Sequence, residues 1–201
     1  FIETLRTGAI NDPEVADSFL EIIDIESERL YTLINDILQL SEIETRQKDS
    51  NILPHSLNSD IAEVLSILKG SAEKKDVSLI DETKEELTIS ANRDRIKQML
   101  INLIDNGIKY NVEGGKVFIK AYKQEGSIVI SIKDTGIGIA EEHLSRIFER
   151  FYRVDKGRSR EAGGTGLGLS IVKHIVNLYN GDIKVSSDPG KGTEFLVRFP
   201  F

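Results

Sequence analysis

The first 48 residues carry a long helical pattern of apolar positions. From Pro13 to about Lys48 the apolar side chains recur at alternating spacings of three and four residues, the period of a helix that packs on other helices. This stripe consists of Phe19, Ile22, Ile23, Leu30, Leu33, Ile37, Leu40 and Ile43. The other faces are charged, so we expect the helix to need partners for its stability.

A short apolar segment precedes this helix. Phe1 to Thr7 has the pattern of the end of another helix, and the residues from Gly8 to Pro13 predict a turn. In that turn Gly8 can stop one helix, while Asp12 caps the next and Pro13 begins it. The pattern predicts a truncated antiparallel helical hairpin. The alternative is a buried helix pair within a single domain.

From residue 49 onward the pattern changes to a mixture of helices and strands. A polar stretch, Thr45–Asn51, predicts a linker, which divides the chain into regions 1–48 and 49–201. Helices are predicted at Ser59–Lys75, Arg93–Tyr110, Glu141–Phe151 and Leu167–Tyr179. Strands are predicted at Val77–Asp81, Leu87–Ala91, Lys116–Gln124, Ser127–Lys133, Asp182–Ser187 and Thr193–Phe199. Helices grouped against antiparallel strands indicate an α+β fold, a two-layer α/β sandwich.

Composition narrows the class of protein. Of the 201 residues 39% are hydrophobic and 29% are charged, as is typical of a globular protein. The net charge of -7 argues against nucleic-acid binding, and the lack of cysteine removes disulfides and thiolate metal sites. We find no apolar run long enough for a membrane span and no signal peptide. Because the chain starts at Phe1 on an apolar helical pattern, we interpret it as part of a longer protein.

Three short motifs follow one another between Asn102 and Ser170, and the first of them lies on a predicted helix. Asn102, Asn106 and Lys109 share one face of that helix, beside its apolar face. Amide oxygens are suitable ligands for Mg²⁺, so Asn106 is the predicted metal ligand. Lys109 is placed to contact phosphate as a point charge, and Asn102 to hold a metal-bound water or the phosphate. The alternative is a polar face in contact with solvent.

The second motif, Asp134-Thr-Gly136-Ile-Gly138, ends an alternating strand. A carboxylate at this point can accept a hydrogen bond from the exocyclic amine of adenine and thereby select the base. Gly136 and Gly138 let the backbone pass close to the ring. Taken alone, this pattern is more often an ordinary turn.

The third motif, Gly163-Gly-Thr-Gly166-Leu-Gly168, leads into an apolar helix. Glycine amides and a helix N-terminus favour bound phosphate. The pattern is neither a dinucleotide fingerprint nor a P-loop, because no strand leads into it and the lysine of a P-loop is missing. The preceding stretch, Asp155 to Gly163, has the composition of a mobile lid.

Together with Arg146-Ile-Phe148-Glu-Arg-Phe151-Tyr-Arg153, the three motifs resemble the N, G1, F and G2 boxes of bacterial sensor histidine kinases. The resemblance covers essentially the whole chain. Region 1–48 resembles the dimerisation and phosphotransfer hairpin, and region 49–201 the ATP-binding catalytic domain with the Bergerat fold. Phe1-Ile-Glu-Thr-Leu and Ser27 to Glu44 are most similar to phosphate-regulon and cell-wall sensor kinases.

The resemblance implies ATP and Mg²⁺ as cofactors and assigns roles to single residues. Asn106 would bind Mg²⁺, while Asn102, Lys109 and Arg153 would act in catalysis beside the phosphates. Phe148 and Phe151 would anchor the lid, and the alternative is that both are ordinary core aromatics. The remaining ATP contacts would come from Tyr110, Asp134, Gly136, Gly138, Ile139, Gly164, Thr165, Gly166, Leu167, Gly168 and Leu169. Gly107 stands where many relatives have alanine, a change that affects helix propensity rather than chemistry.

The resemblance also implies partners that lie outside this chain. The parent protein would be a homodimer at the cytoplasmic face of the membrane, and it would pass phosphate to the receiver domain of a response regulator. The phosphoacceptor histidine of the family precedes the first residue here, and His55, His143 and His174 do not fit its motif. We therefore expect this chain to bind ATP without being able to phosphorylate itself.

Two other functions stay open from the sequence. One is a different ATPase of the Bergerat fold, such as a gyrase-like enzyme or a serine kinase. The long helical pattern and the segment from Phe148 to Arg153 weigh against it. The other is a module without enzymatic activity, in which nucleotide orders the lid and the helices dock a partner.

Overall fold

A computed structural model describes residues 2–45, 51–154 and 164–200. The end of the predicted first helical region, most of the linker and the whole lid from Asp155 to Gly163 lie outside the described residues. Within the described ranges, every helix is too short or too polar to span a membrane.

The helical region begins with a turn of helix and continues into one long helix. Helix α1 comprises Ile2–Arg6, a 3-10 turn comprises Ala9–Asn11, and α2 comprises Pro13–Thr45. Asp12 accepts a hydrogen bond from Val15 N at 3.4 Å, which fits its predicted role as a cap. The predicted truncated hairpin is therefore present in outline, with α1 packed beside α2.

The described residues from 51 to 200 form three further long helices, a short one and seven strands. The helices are α3 (Leu57–Lys74), α4 (Arg93–Lys109), α5 (Glu141–Leu144) and α6 (Gly168–Leu178). The strands are β1 (Leu53–Ser56), β2 (Ser78–Asp81), β3 (Thr88–Ala91), β4 (Lys116–Gln124), β5 (Ser127–Asp134), β6 (Asp182–Asp188) and β7 (Gly192–Pro200). Ser56 caps α3, and Asn92 caps α4 by accepting hydrogen bonds from Asp94 N and Arg95 N.

The strands form a five-stranded sheet in the order β2-β4-β5-β7-β6 and a separate two-stranded sheet of β1 and β3. Strand β2 runs parallel to β4, whereas the other neighbours are antiparallel. Helices α3, α4 and α6 share one apolar core with the large sheet, which confirms the predicted two-layer fold. Leu40 and Ile43 of α2 belong to the same core, so the end of α2 packs on the domain.

Several element predictions were wrong in detail. The predicted helix Glu141–Phe151 ends at Leu144 and continues as turns, in which Phe151 adopts a left-handed backbone with φ of 60°. Strand β1 was not assigned, because Pro54 and His55 break the apolar alternation, and its ladder with β3 is a long-range contact. The sheet is mixed rather than antiparallel, since a parallel pair such as β2 with β4 leaves no mark in local sequence.

The sequence also did not predict a buried cluster of ionisable side chains that includes His55 of β1. The carboxylate of Asp60 is fully buried, 2.9 Å from His55 Nε2 and 2.7 Å from Arg93 Nε. Arg93 also pairs with Glu63 at 2.9 Å. A buried carboxylate needs such partners, so this cluster fastens the start of α3 to the start of α4.

Candidate functional site

A cavity of about 1090 Å³ lies between α2, α4, the loop after β5 and the glycine loop before α6. Most of the predicted site residues line it: Asn102, Asn106, Lys109, Tyr110, Asp134, Gly138, Ile139, Arg153, Gly164, Thr165, Gly166, Gly168 and Leu169. Two of the predicted contact residues do not line the cavity. Leu167 is buried in the core, and Gly136 packs so tightly under Tyr110 O that a Cβ would overlap it.

Asp134 lies at one end of the cavity and is 7% exposed. Its Oδ1 accepts hydrogen bonds from Gly136 N at 2.8 Å and from Thr193 N at 3.2 Å. Burial raises the pKa of the Asp134 carboxyl, and these two backbone donors oppose that rise. Both described bonds go to Oδ1, so Oδ2 is the oxygen left to accept a donor from a bound molecule.

The turn between β6 and β7 supports the loop of Asp134, a role that the sequence analysis missed. Ser187 Oγ accepts a hydrogen bond from Ile139 N at 2.8 Å, and Gly190 N donates to Ile137 O at 2.8 Å. A Cβ on Gly138 would overlap Asp188 O, so only glycine allows the two loops to touch. Glycines at positions 190 and 192 are typical of any hairpin turn, so the sequence gives no local sign of this contact.

Polar side chains of α4 form the middle of the cavity. Asn102, Asn106 and Lys109 all line it, as predicted from their spacing on one helix face. The ammonium group of Lys109 lies 2.7 Å from Asp105 Oδ2, so a contact of Lys109 with phosphate requires a shift of that ion pair. Asn106 presents an amide oxygen, a hard ligand of the kind that Mg²⁺ accepts.

The glycine loop packs against this polar face of α4. A Cβ on Gly168 would stand 3.1 Å from Asn102 Oδ1, and one on Gly164 would stand 3.5 Å from Tyr110 Oη. Helix α6 starts here without a side-chain cap, so backbone N–H groups of its first turn are open to a ligand. Together the helix terminus and the loop offer an anion-binding surface.

Arg153 supplies a cationic group at the same side of the cavity. The Nε and Nη2 atoms of its guanidinium are buried and have no hydrogen-bond partner among the residues that the structure describes. Buried N–H donors without a partner are unfavourable until an acceptor binds, and oxygen atoms of a phosphate are such acceptors. Nearby, Phe151 N donates to Gly166 O at 2.9 Å and fastens this segment to the glycine loop.

The two phenylalanines of this segment are placed differently. Phe148 packs edge-on against Phe195 beside the core. Phe151 is 59% exposed and contacts the glycine loop through its backbone N–H. Because the lid lies outside the described residues, its anchoring by these two side chains stays a prediction.

Helix α2 forms the remaining wall, which no sequence pattern indicated. Asp36 and Gln39 both line the cavity, and Thr165 Oγ1 donates a hydrogen bond to Asp36 Oδ2 at 2.6 Å. Burial raises the pKa of the Asp36 carboxyl, while the Thr165 hydroxyl and the charge of Lys109 oppose that rise. The Asp36 carboxylate therefore lies among groups that favour the binding of an anion.

None of the three histidines lines the cavity. His55 pairs with Asp60, His143 shares a hydrogen bond with Tyr152, and the ring of His174 contacts Ser170 O. Each has a structural contact, as the sequence analysis expected. Among the residues that the structure describes, no group of three or more histidine, aspartate or glutamate side chains is arranged to hold a metal ion. A cation at this site would need ligands from the bound molecule and from water.

Comparison with known proteins places this geometry in a family. Residues 91–201 match the family described as histidine kinase-, DNA gyrase B-, and HSP90-like ATPase. The sensor histidine kinase WalK of Bacillus subtilis is 36% identical over 203 residues, which cover 100% of this chain and 33% of WalK. The chain therefore spans about a third of the length of this relative.

Solved structures give the same result. Full-length ShkA in complex with AMPPNP superposes with a TM-score of 0.80 at 28% identity, over 92% of this chain and 38% of ShkA. The histidine kinase ThkA, in complex with the response regulator protein TrrA, superposes with a TM-score of 0.73 at 29% identity, over 94% of this chain and 52% of that chain.

Proposed function

The chain belongs to the histidine kinase-, DNA gyrase B- and HSP90-like ATPase family, within it to the sensor histidine kinases, and on that premise we propose that its cavity binds ATP for phosphoryl transfer to a histidine. The observation that carries the proposal is a pair of oppositely charged groups that line one cavity. Asp134 offers a carboxylate oxygen at one end, and Arg153 offers two guanidinium nitrogens, Nε and Nη2, that are without a partner among the described residues.

The carboxylate of Asp134 selects adenine. Because two backbone N–H groups hold Oδ1, the orientation of the carboxylate is set before a ligand binds. Oδ2 then accepts the exocyclic amine of adenine, a donor that guanine lacks at the corresponding position. A purine with an acceptor there would leave both groups unpaired in a buried site, which is strongly unfavourable.

The triphosphate lies along α4 and the glycine loop. Backbone N–H groups at the start of α6 and the guanidinium of Arg153 contact its oxygens, while Lys109 adds a positive charge. Asn106 would hold Mg²⁺ through its amide oxygen, with water and phosphate as the other ligands. When bound, Mg²⁺ neutralises charge on the phosphates.

In the transfer step the protein supplies position and electrostatic stabilisation. A neutral imidazole nitrogen of the acceptor histidine forms a bond to the γ-phosphorus while the bond from that phosphorus to the bridging oxygen breaks, and ADP leaves with the electron pair. Arg153 and the open amides of α6 stabilise the charge on the moving phosphoryl oxygens. The acceptor histidine lies on a hairpin of which α2 is the second helix.

The partners of the whole kinase follow from the same premise. The exposed apolar residues of α2 pair with a second copy, so the parent is a homodimer with a four-helix bundle. The phosphohistidine then passes its phosphoryl group to an aspartate of a response regulator receiver domain, as the complex of ThkA with TrrA supports. The parent acts at the cytoplasmic face of the membrane.

Mixing this chain with ATP labelled at the γ-phosphate and a separate histidine-bearing hairpin tests the proposal. We expect acid-labile label on the hairpin, dependent on Mg²⁺. Asn106→Asp and Asp134→Asn should each abolish labelling, because they alter the metal ligand and the group that selects the base. Unchanged labelling by these variants would remove the assigned roles, and release of free phosphate without transfer would indicate a different ATPase instead.

A further inference from the structure

Arg153 lies in a segment without regular structure, so other contacts must hold it in place. Residues 145–154 form a series of turns in which no helix or strand fixes the backbone. The side chain of arginine is long and flexible, and an unsupported one would spend most of its time away from the phosphate. The contacts of its neighbours therefore decide whether Arg153 faces the cavity.

Tyr152, the residue directly before Arg153, is held on two sides by the turn that follows α5. Its hydroxyl group shares a hydrogen bond with His143 Nδ1 at 2.7 Å. The guanidinium of Arg146 lies over its ring, 4.2 Å from the ring centroid. Arg146 is itself held by Glu149, with Nη2 3.1 Å from Oε2. The phenol is thus fixed in position and in rotation.

Backbone contacts join these side chains to the glycine loop. Ile147 N donates to His143 O at 3.1 Å, which ties the turn to α5. Tyr152 N donates to Glu149 O at 3.3 Å, and Phe151 N donates to Gly166 O. His143 therefore contacts the segment at both of its ends, through its carbonyl near the start and through its ring near Arg153.

We propose that His143 and Tyr152 are positioning residues that act through Arg153 on the γ-phosphate of ATP, an inference that rests on the proposed function. The hydrogen bond between their side chains fixes the backbone at residue 152 and thereby directs the guanidinium of the next residue into the cavity. Neither side chain supplies charge to the phosphate itself. Their effect is greatest on the nucleotide that carries the third phosphate.

Calorimetry with ATP and with ADP tests this role, since only ATP has the γ-phosphate. The measured quantity is the ratio of the two dissociation constants. We expect Arg153→Ala to remove most of the preference for ATP, and Tyr152→Phe to reduce that preference about fivefold through loss of one hydrogen bond. Tyr152→Phe keeps the ring under Arg146. Tyr122→Phe on β4 removes a hydroxyl group elsewhere and should leave the ratio unchanged.

A double variant separates positioning from a general structural effect. In the Arg153→Ala background, Tyr152→Phe should have no further effect on the ratio, because the group through which it acts is absent. His143→Asn, which keeps an acceptor near the position of Nδ1, should retain more of the preference than His143→Leu. Melting curves monitored by circular dichroism identify variants that do not fold.

Equal weakening of ATP and ADP binding by Tyr152→Phe would overturn the positioning role, as would an undiminished effect in the Arg153→Ala background. Both results leave ATP binding itself intact and so leave the proposed function standing. If the unaltered, folded chain bound neither nucleotide, the proposed function would fail and the positioning role with it.

Discussion

Helix α2 and the domain that follows it bury their apolar side chains to different extents. In the domain, the apolar face of α4 is fully buried against α3, α6 and the sheet. Along α2, by contrast, Leu40 and Ile43 are buried in that core and Leu33 packs against it, while many other apolar residues are exposed within the described ranges. These exposed residues are Val15, Leu20, Ile25, Leu30, Tyr31, Ile34, Ile37 and Leu38.

The difference shows that the two regions are stabilised by different contacts. Most core side chains of the domain come from the described residues between 51 and 200, and Leu40 and Ile43 of α2 complete that core. The long helix has an apolar surface that α1 covers near its start and the domain covers near Leu40, yet it supplies Asp36 to the cavity wall. We infer that the helix is stabilised by association and that the site is stabilised by the domain.

The largest expected effect comes from a substitution, Gly138→Ala, that creates a steric overlap inside the domain. Gly138→Ala combines a positive φ of 68° with an overlap between the new Cβ and Asp188 O. We expect a loss of about 3 kcal/mol or more in the free energy of unfolding, together with the loss of nucleotide binding, because the loop of Asp134 must move. Urea denaturation and calorimetry measure the two quantities.

Gly8→Ala in the helical region is the matched control. Its φ of 134° is also positive, but apart from its chain neighbours no atom of the described residues lies within 4 Å of the new Cβ. Only backbone strain remains, so we expect a loss of about 1–2 kcal/mol or less and normal ADP binding. If Gly8→Ala proved as damaging as Gly138→Ala, the proposed independence of the site from the start of the chain would be wrong.

Two leucines of α2 test where the helix joins the domain. Leu40 is 5% exposed and lies in the shared core, whereas Leu20 is 56% exposed. Leu40→Ala should lower the free energy of unfolding by about 2–3 kcal/mol through a cavity in that core. Leu20→Ala should change it by less than about 0.5 kcal/mol at concentrations where the chain is monomeric. Equal effects of the two changes would contradict the division between a docked end and an undocked start.

Asp36→Asn tests a charged position at which α2 faces the cavity. The Asp36 carboxylate accepts from Thr165 and lies in the field of Lys109, among groups that we assign to phosphate. Removing its negative charge should raise the affinity for ATP about threefold, because a repulsion with the triphosphate disappears. Asp24→Asn, on an exposed part of the same helix, serves as control. Lower affinity in Asp36→Asn would show that the carboxylate assists binding.

The smallest expected effect is the pH dependence that Asp134 gives to the free energy of unfolding. Burial raises the pKa of Asp134 above 3.8, so the folded state holds its proton more tightly than the unfolded state. Stability from this group is present below pH 3.8 and is lost as pH rises through the raised pKa. Subtracting the pH profile of the free energy of unfolding of Asp134→Asn isolates this contribution.

Adenosine binding should change with pH in the opposite direction. Acidification protonates the oxygen that accepts the amine of adenine, so affinity should fall as pH falls through the raised pKa. Adenosine carries no phosphate, and therefore the titration of phosphate does not disturb the measurement. An affinity that does not depend on pH in this window would argue against the assigned contact with Asp134.

Much of the fold and of the site could be predicted because their signals are local. The polar face of α4 follows from helical spacing alone, and Asn102, Asn106 and Lys109 do share the cavity. Asp134 was recognised because a strand pattern ends there before two glycines. Thr193 and Ser187 were missed, since their hydrogen bonds to the loop after β5 join residues about 50 to 60 positions apart. Nothing in their immediate neighbourhood indicates those partners.

The sequence by itself determined the order of helices and strands, the family resemblance and the chemical character of the three motifs, because these depend on side-chain periodicity and on neighbouring residues. Only the tertiary structure decided which oxygen of Asp134 stays available, that two guanidinium nitrogens of Arg153 are buried without a partner among the described residues, and that Asp36 stands opposite Thr165. Such contacts depend on how segments far apart in the sequence pack together. Packing of this kind leaves no repeating pattern in the sequence.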